Sequence, residues 1–273
     1  MVRQLIGASG RGILPTRTWI TIGFLGGLLS GLLGIGGGVV MVPLMVLMAG
    51  LSQKISHAMA LYAIIVIAFF GAAPYVISGD VRWDWAVALA AGSIIGARIG
   101  AKTLSSASEA PLKIGFGLFL VAAAVTMVTA KPTSGISVLT PLWLFVTMVI
   151  FGLMVGSLSG LLGVGGGIFM IPFMVIIAGA SQQVAQGTSL VVIVPTAIVA
   201  SLVLTKKGVG DLRQGLGMGA AGAISALAGA FIALHLPSEI LRYIFAALLL
   251  IVATKTFIDG LRLKRKEPSP KRG

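Results

Sequence analysis

Three consecutive glycines occur twice in this chain, as Gly36, Gly37 and Gly38 and as Gly165, Gly166 and Gly167. Another glycine stands two positions before each triplet (Gly34 and Gly163), and a proline follows each (Pro43 and Pro172). Each glycine costs roughly 1 kcal/mol in a helix relative to alanine. Three in a row therefore favour an interrupted helix, with backbone amides that no side chain covers. A half-helix starting after the triplet would aim its amides and its dipole at the break, an arrangement that suits an anion. A nucleotide-binding P-loop is a poor fit, because no Lys-Ser/Thr pair follows and the surroundings are apolar. Close helix packing asks for one glycine per turn. That is the reading for Gly27, Gly31 and Gly34, and for Gly92, Gly96 and Gly100.

Few polar residues accompany the glycines. The segment after the first proline opens with Gln53, Lys54 and His57, and the one after the second with Gln182, Gln183, Gln186, Thr188 and Ser189. At a helix start such residues either cap the backbone or contact a substrate. Arg98 lies inside an apolar segment, where an arginine is costly and draws attention as a functional group. Its bland alternative is to snorkel to an interface with Lys102. The acids Asp80, Asp84, Glu109, Asp211, Glu239 and Asp259 all fall at segment ends. The absence of a deep carboxylate argues against a cation wire through acids and for an anionic substrate. His57 is the one plausibly buried group that titrates near neutral pH. No cysteine, paired carboxylates, Ser/His/Asp set or metal-ligating cluster occurs, so no enzyme, metal or cofactor is expected. The candidate substrate-binding set is Gly34, Gly36, Gly37, Gly38, Pro43, Gln53, His57, Arg98, Gly163, Gly165, Gly166, Gly167, Pro172, Gln182, Gln186, Thr188 and Ser189.

The elements that must position these residues are membrane helices. Of 273 residues 57% are hydrophobic and only 10% charged, against ~25% charged in an ordinary soluble domain. Mean hydropathy is +1.07. Apolar runs near the length that spans a bilayer core of ~30 Å recur throughout. An all-α polytopic membrane protein follows, and a soluble enzyme does not. The formal charge of +13 is concentrated at the two ends, as the positive-inside rule produces, so nucleic acid is not the expected partner. The apolar run from Trp19 is too long for a signal peptide and reads as the first transmembrane helix.

Eight apolar segments cover roughly 18–49, 55–77, 84–104, 111–130, 142–178, 185–205, 213–234 and 238–259. The first and fifth are too long for one simple span, and each contains a glycine triplet. Eight crossings from an inside N-terminus put all but Lys54, Arg98, Lys102, Lys113 and Arg242 of the 20 Lys and Arg on the cytoplasmic side.

The chain is also a duplication. GLLSGLLGIGGGVVMVP at 27–43 matches GSLSGLLGVGGGIFMIP at 156–172, and 18 of 27 positions are identical between 27–53 and 156–182. His57 and Gln186 occupy matching positions, whereas Arg98 matches Leu227. The expected organisation is a basic N-terminus (1–17), a first repeat (18–130), a linker (131–141), a second repeat (142–259) and a basic tail (260–273). Both ends are expected in the cytoplasm of a cell with the protein in its inner membrane. Four crossings per half make the repeats parallel, whereas a chain that turns back at the glycine break makes them inverted. The residues leave both open.

The duplicated GLLG[IV]GGGxxM[VI]P, with AQGTSL at 185–190, Pro195, Gly210 and Asp211, resembles the TauE/SafE sulfite exporter family, also called toluene sulfonate uptake permeases. The first half departs from it at Ala60, Leu61 and Tyr62, where a Thr-Ser-Leu is expected. The resemblance implies a secondary transporter of small sulfur-containing anions such as sulfite or organosulfonates. The anion would sit between the repeats at the glycine breaks, with H+ or Na+ as the coupling ion. The rival readings are a passive anion channel and a membrane scaffold that transports nothing.

Overall fold

A computed structural model describes residues 15–103, 109–129, 141–162 and 165–266. Among these residues the chain is helical throughout, without strands. The helices are α1 (Thr16–Leu33), α2 (Gly38–Ala49), α3 (Gln53–Ile77), α4 (Trp83–Thr103), α5 (Glu109–Thr129), α6 (Pro141–Leu162), α7 (Gly167–Pro172), α8 (Gln182–Lys206), α9 (Leu212–His235) and α10 (Ser238–Lys266). A π-helical turn over Phe173–Ile177 continues α7. By length and composition α3, α6, α8, α9 and α10 are apolar enough to cross a membrane. The chain is a multi-pass membrane protein.

Local chemistry sets the boundaries. Ser52 and Ser181 cap α3 and α8, each accepting a hydrogen bond from the amide three residues on. Asp211 caps α9 through the Gln214 amide. Glycines with positive φ close the turns, among them Gly50 and Gly79.

The contacts between helices give their directions. Tyr62 of α3 meets Thr205 near the end of α8, and Tyr75 meets Gln186 near its start. The two helices are therefore antiparallel. Gly23 of α1 faces Met218 of α9 and Gly31 faces Ala226, so α1 and α9 run parallel. Likewise Gly92 of α4 faces Val149 of α6, and Gly100 faces Ser157. Thus α1, α3 and α9 start at one end of the bundle, here the proximal end. Helices α4, α6 and α8 start at the other, the distal end. Position for position α1 matches α6, α3 matches α8 and α4 matches α9. The first helix of each half thus packs on the fourth helix of the other half, and the halves interlock.

Glycine makes those close pairings possible. A Cβ on Gly96 would strike the Leu153 carbonyl and lie 2.7 Å from the Ser157 amide nitrogen. Even Gly96→Ala must push α4 away from α6. We expect it to cost about 1–3 kcal/mol, read as a lower melting temperature of the detergent-solubilised protein. Gly115 of α5 has no neighbour within 4 Å of a built Cβ, so Gly115→Ala should be neutral or stabilising by up to ~1 kcal/mol. Equal losses at both sites would refute this packing account.

Residues 18–49, a single segment by hydropathy, are two helices that fold against each other. Between them Gly34, Gly36 and Gly37 all have positive φ. Gly37 returns to the level of Gly26, whose carbonyl would lie 2.7 Å from a Cβ on Gly37. Only three residues then separate α2 from the proximal start of α3. The 12 residues of α2 reach about 18 Å, short of a full crossing.

Candidate functional site

The two glycine clusters meet in the middle of the molecule, beside α3 and α8. A Cβ on Gly165 would lie 3.0 Å from the Ile35 carbonyl and 3.7 Å from Gly36 Cα. One on Gly167 would lie 2.5 Å from the Gly34 carbonyl and 2.8 Å from Ser189 Oγ. Ile64 of α3 and its repeat mate Ile193 of α8 pack against Gly36. The arrangement brings Gly34, Gly36, Gly165, Gly167, Gln186 and Ser189 together. Gly163 lies outside the described residues.

At the first cluster Gly34 ends α1, its amide donating to the Ser30 carbonyl at 2.7 Å. The chain then frees its amides. Val40 and Met41 donate to the Gly37 carbonyl, while Gly36, Gly37, Gly38 and Val39 donate to no backbone acceptor among the described residues. Those are the orphan donors of a helix start, where the helix dipole favours an anion. At the second cluster Gly167 donates to the Gly165 carbonyl across a single residue, Gly166 (φ 62°), a γ-turn-like reversal that glycine adopts readily. Pro172 supplies no amide to the helix, and the π turn begins directly after it. Pro43 sits half-buried inside α2 without such a change.

Polar residues of α8 hold the first cluster. Ser189 donates to the Gly34 carbonyl at 3.1 Å, fully buried. The Gln186 side chain packs against Gly34. Its Oε1 lies 3.0 Å from the Tyr75 hydroxyl, which also reaches the Gly31 carbonyl at 2.9 Å. No partner meets Gln186 Nε2, and in either orientation of the amide at least one N–H remains unpaired. Thr188 accepts the Arg82 amide at 3.0 Å and pins the α3–α4 turn. Gln182 is buried with both amide atoms unpaired, whereas its repeat mate Gln53 is exposed. His57 is buried one turn into α3. Thr188 and Ser189 thus hold backbone, and of this set Gln186 keeps a free donor at the junction.

The other candidates lie elsewhere. Arg98 is exposed on α4 with Lys102, on a surface apart from the glycine junction. Arg82 at the distal rim forms a bidentate pair with Asp84 (2.9 and 2.6 Å) and lies 4.4 Å from the Trp85 ring centroid. The hydrogen bonds to Asp84 raise its pKa above the ordinary guanidinium value, so it is a permanent, already paired cation. Among the described residues no cluster of three metal-ligating side chains occurs, and the buried polar residues include no carboxylate.

Several site residues escaped the sequence reading. Tyr75 is one, a lone hydroxyl in an apolar stretch with Leu204 as its repeat mate. We expect Tyr75→Phe to strand a buried carbonyl and the Gln186 amide, costing about 1–3 kcal/mol in thermal unfolding; an unchanged melting temperature would show the hydroxyl to be idle. A narrow cavity beside the second cluster is lined by Leu61, Ser159, Gly165, Gly166, Met170 and Thr196 among others. It has room for roughly one water molecule. Thr196 donates to the Val192 carbonyl and meets Ser93 at 2.7 Å. The signal for Ser159 was present, since it stands at the same place in both copies of the motif as Ser30.

The family model for the sulfite exporter TauE/SafE matches residues 2–127 and again residues 148–273, once in each half. The probable membrane transporter protein YunE of Bacillus subtilis is 40% identical over 82 residues, 30% of this chain and 30% of its own. The probable membrane transporter protein MJ0441 of Methanocaldococcus jannaschii is 27% identical over 195 residues, 67% of this chain and 70% of its own. The chain thus spans about a third of YunE and over two thirds of MJ0441. No solved structure matches. The chain belongs to the TauE/SafE sulfite exporter family.

Proposed function

We propose that the chain is a secondary transporter of small sulfur oxyanions, sulfite or an organosulfonate, bound where the two glycine clusters meet. The observation that carries this reading is the central junction. There the start of α2, whose Gly36, Gly37 and Gly38 amides have no backbone acceptor among the described residues, lies beside a free Gln186 donor, with no carboxylate among the buried polar residues described. Hydrogen-bond donors without a competing negative charge are what a desolvated oxyanion needs.

In this reading α3, α4 and α5 of the first half and α8, α9 and α10 of the second cross the membrane, and the hairpins α1–α2 and α6–α7 each enter it and return to the side they left. The half-helices α2 and α7 turn back inside it. Each half then changes side an odd number of times, and the repeats are inverted, with the substrate at their interface near the midplane. Charge distribution supports this arrangement over two parallel four-span repeats. Of the fifteen Lys and Arg among the described residues it places only Arg82 and Arg242 at the distal end, and thirteen at the proximal end. The proximal end, where α1 begins and α10 ends, is then cytoplasmic, in the inner membrane of a bacterial-type cell. Rocking of the interlocked halves, coupled to H+ or Na+, gives alternating access.

The test is uptake of labelled sulfite into proteoliposomes, competed by sulfonates, sulfate and chloride. Saturable uptake that a sulfonate blocks and chloride does not is the expected result. Flux that never saturates and needs no gradient would replace the carrier with a channel. No flux under either gradient would reject sulfur oxyanions as substrates.

A further inference from the structure

We infer that Ser30 lines a second anion-accessible cavity, in the distal half of the protein, which opens when the proximal cavity at Ser159 closes. The inference rests on the transporter reading above and names a site which that reading does not contain.

Three observations carry it. First, Ser30 Oγ is fully buried and has no hydrogen-bond partner. A helical serine usually bonds the carbonyl one turn back, as Ser157 does to Leu153 at 2.8 Å, and a buried hydroxyl left unpaired is rare enough to require a reason. Second, Ser159, the repeat mate of Ser30, lines the existing cavity beside Gly165 and Gly166. The corresponding neighbours Gly36, Gly37 and Met41 surround the start of α2, whose Gly37 and Gly38 amides make no backbone hydrogen bond among the described residues. Third, the two halves differ at this place. Met41 packs into the notch over Gly26, where a Cβ would meet its side chain. Val155 and Met170, the mates of Gly26 and Met41, instead border the open space. Helix α2 is regular over 12 residues, whereas its mate passes from α-helix to a π turn at Pro172.

Ser159 lies in the last turn of α6, toward the proximal end, and Ser30 in the last turn of α1, toward the distal end. Inverted repeats reach their opposite state by exchanging conformations. Exchange withdraws Met41 from Gly26, opens space at Ser30 and closes it at Ser159. The hydroxyl unpaired here is then a donor to the same oxyanion in the other state.

The native chain has no cysteine, so single variants Ser30→Cys and Ser159→Cys report access without background. Each is reconstituted in vesicles of one orientation and treated with a membrane-impermeant maleimide, with no substrate present. Ser159→Cys should react from the proximal side and Ser30→Cys from the distal side only. Adding Met41→Ala should raise Ser30→Cys labelling about tenfold by releasing the packed state. Reaction of both cysteines from one side would overturn the inference. So would no reaction at Ser30→Cys, with or without Met41→Ala, in folded protein. Should the cysteine variants misfold, Ser30→Ala decides. An unchanged or raised melting temperature with about tenfold slower uptake is expected once the unpaired hydroxyl is removed; a lowered melting temperature with unchanged uptake overturns it. Opposite-sided labelling without sulfite uptake would count against the proposed substrate alone. Uptake with same-sided labelling would count against the second cavity alone.

Discussion

Gly166→Leu is expected to stop transport while the protein still inserts and folds, and Gly37→Leu to damage both. The two glycines are repeat mates in equally left-handed backbone, φ 62° and φ 77°. A non-glycine residue pays about 1–2 kcal/mol for that conformation. Their surroundings separate them. A Cβ on Gly37 lies 2.7 Å from the Gly26 carbonyl, a backbone atom that cannot step aside. Overpacking then adds about 1–3 kcal/mol, and α2 must leave α1. A Cβ on Gly166 meets the tips of Val155 at 3.3 Å and Met170 at 3.5 Å and the Ser159 Cβ at 3.9 Å, with the cavity beyond. Leucine there fits by filling a space with room for about one water, so uptake should fall at least about a hundredfold. Uptake and a size-exclusion melting curve on both variants read this directly. Retained flux in Gly166→Leu would show that the cavity is not on the path.

Gln186→Glu is the second large effect, and its sign depends on pH. The substitution keeps size and places an ionisable group at the junction, fully buried and next to Gly34. Burial disfavours the charged carboxylate. At about pH 5.5 the neutral acid still offers a donor, and uptake should remain within about threefold of the parent. At about pH 8.5 a negative charge faces the arriving anion, and uptake should fall about a hundredfold. A sulfonate is the right substrate because its single charge does not change across this range. Gln186→Leu should be poor at both pH values. Equal activity of Gln186→Glu at both would remove Gln186 from the anion's surroundings.

Much of this was legible in the residues. Segment ends fall within a few positions of the helices because turn glycines and serine caps act locally; Ser52 before α3 and Asp211 before α9 are examples. The duplicated triplets located the junction, since no continuous helix tolerates three glycines cheaply. The return of α2 was not legible. Hydropathy measures apolar length and carries no sign, so 18–49 reads alike whether α2 continues or doubles back. The antiparallel pairing of α3 with α8 decides it, through Tyr62 with Thr205 and Tyr75 with Gln186. These pairs are far apart in sequence, and no local pattern announces them. Arg98 is the opposite case. Its chemistry drew attention, but its exposed position on α4 fits the interfacial alternative. The difference between Gly26 and Val155 stood in the aligned repeats from the start and acquires meaning only once Met41 is seen to fill one notch and not the other.

The central claim is that an oxyanion binds where the two glycine clusters meet. Selenite, the heavier analogue of sulfite, tests this most directly through anomalous diffraction from crystals soaked at a concentration that competes with sulfite uptake. The account predicts one strong peak at the junction, within hydrogen-bonding reach of the Gly36, Gly37 and Gly38 amides and the Gln186 side chain. A peak confined to the exposed surface around Arg98 and Lys102, or none at a concentration that blocks uptake, would contradict it.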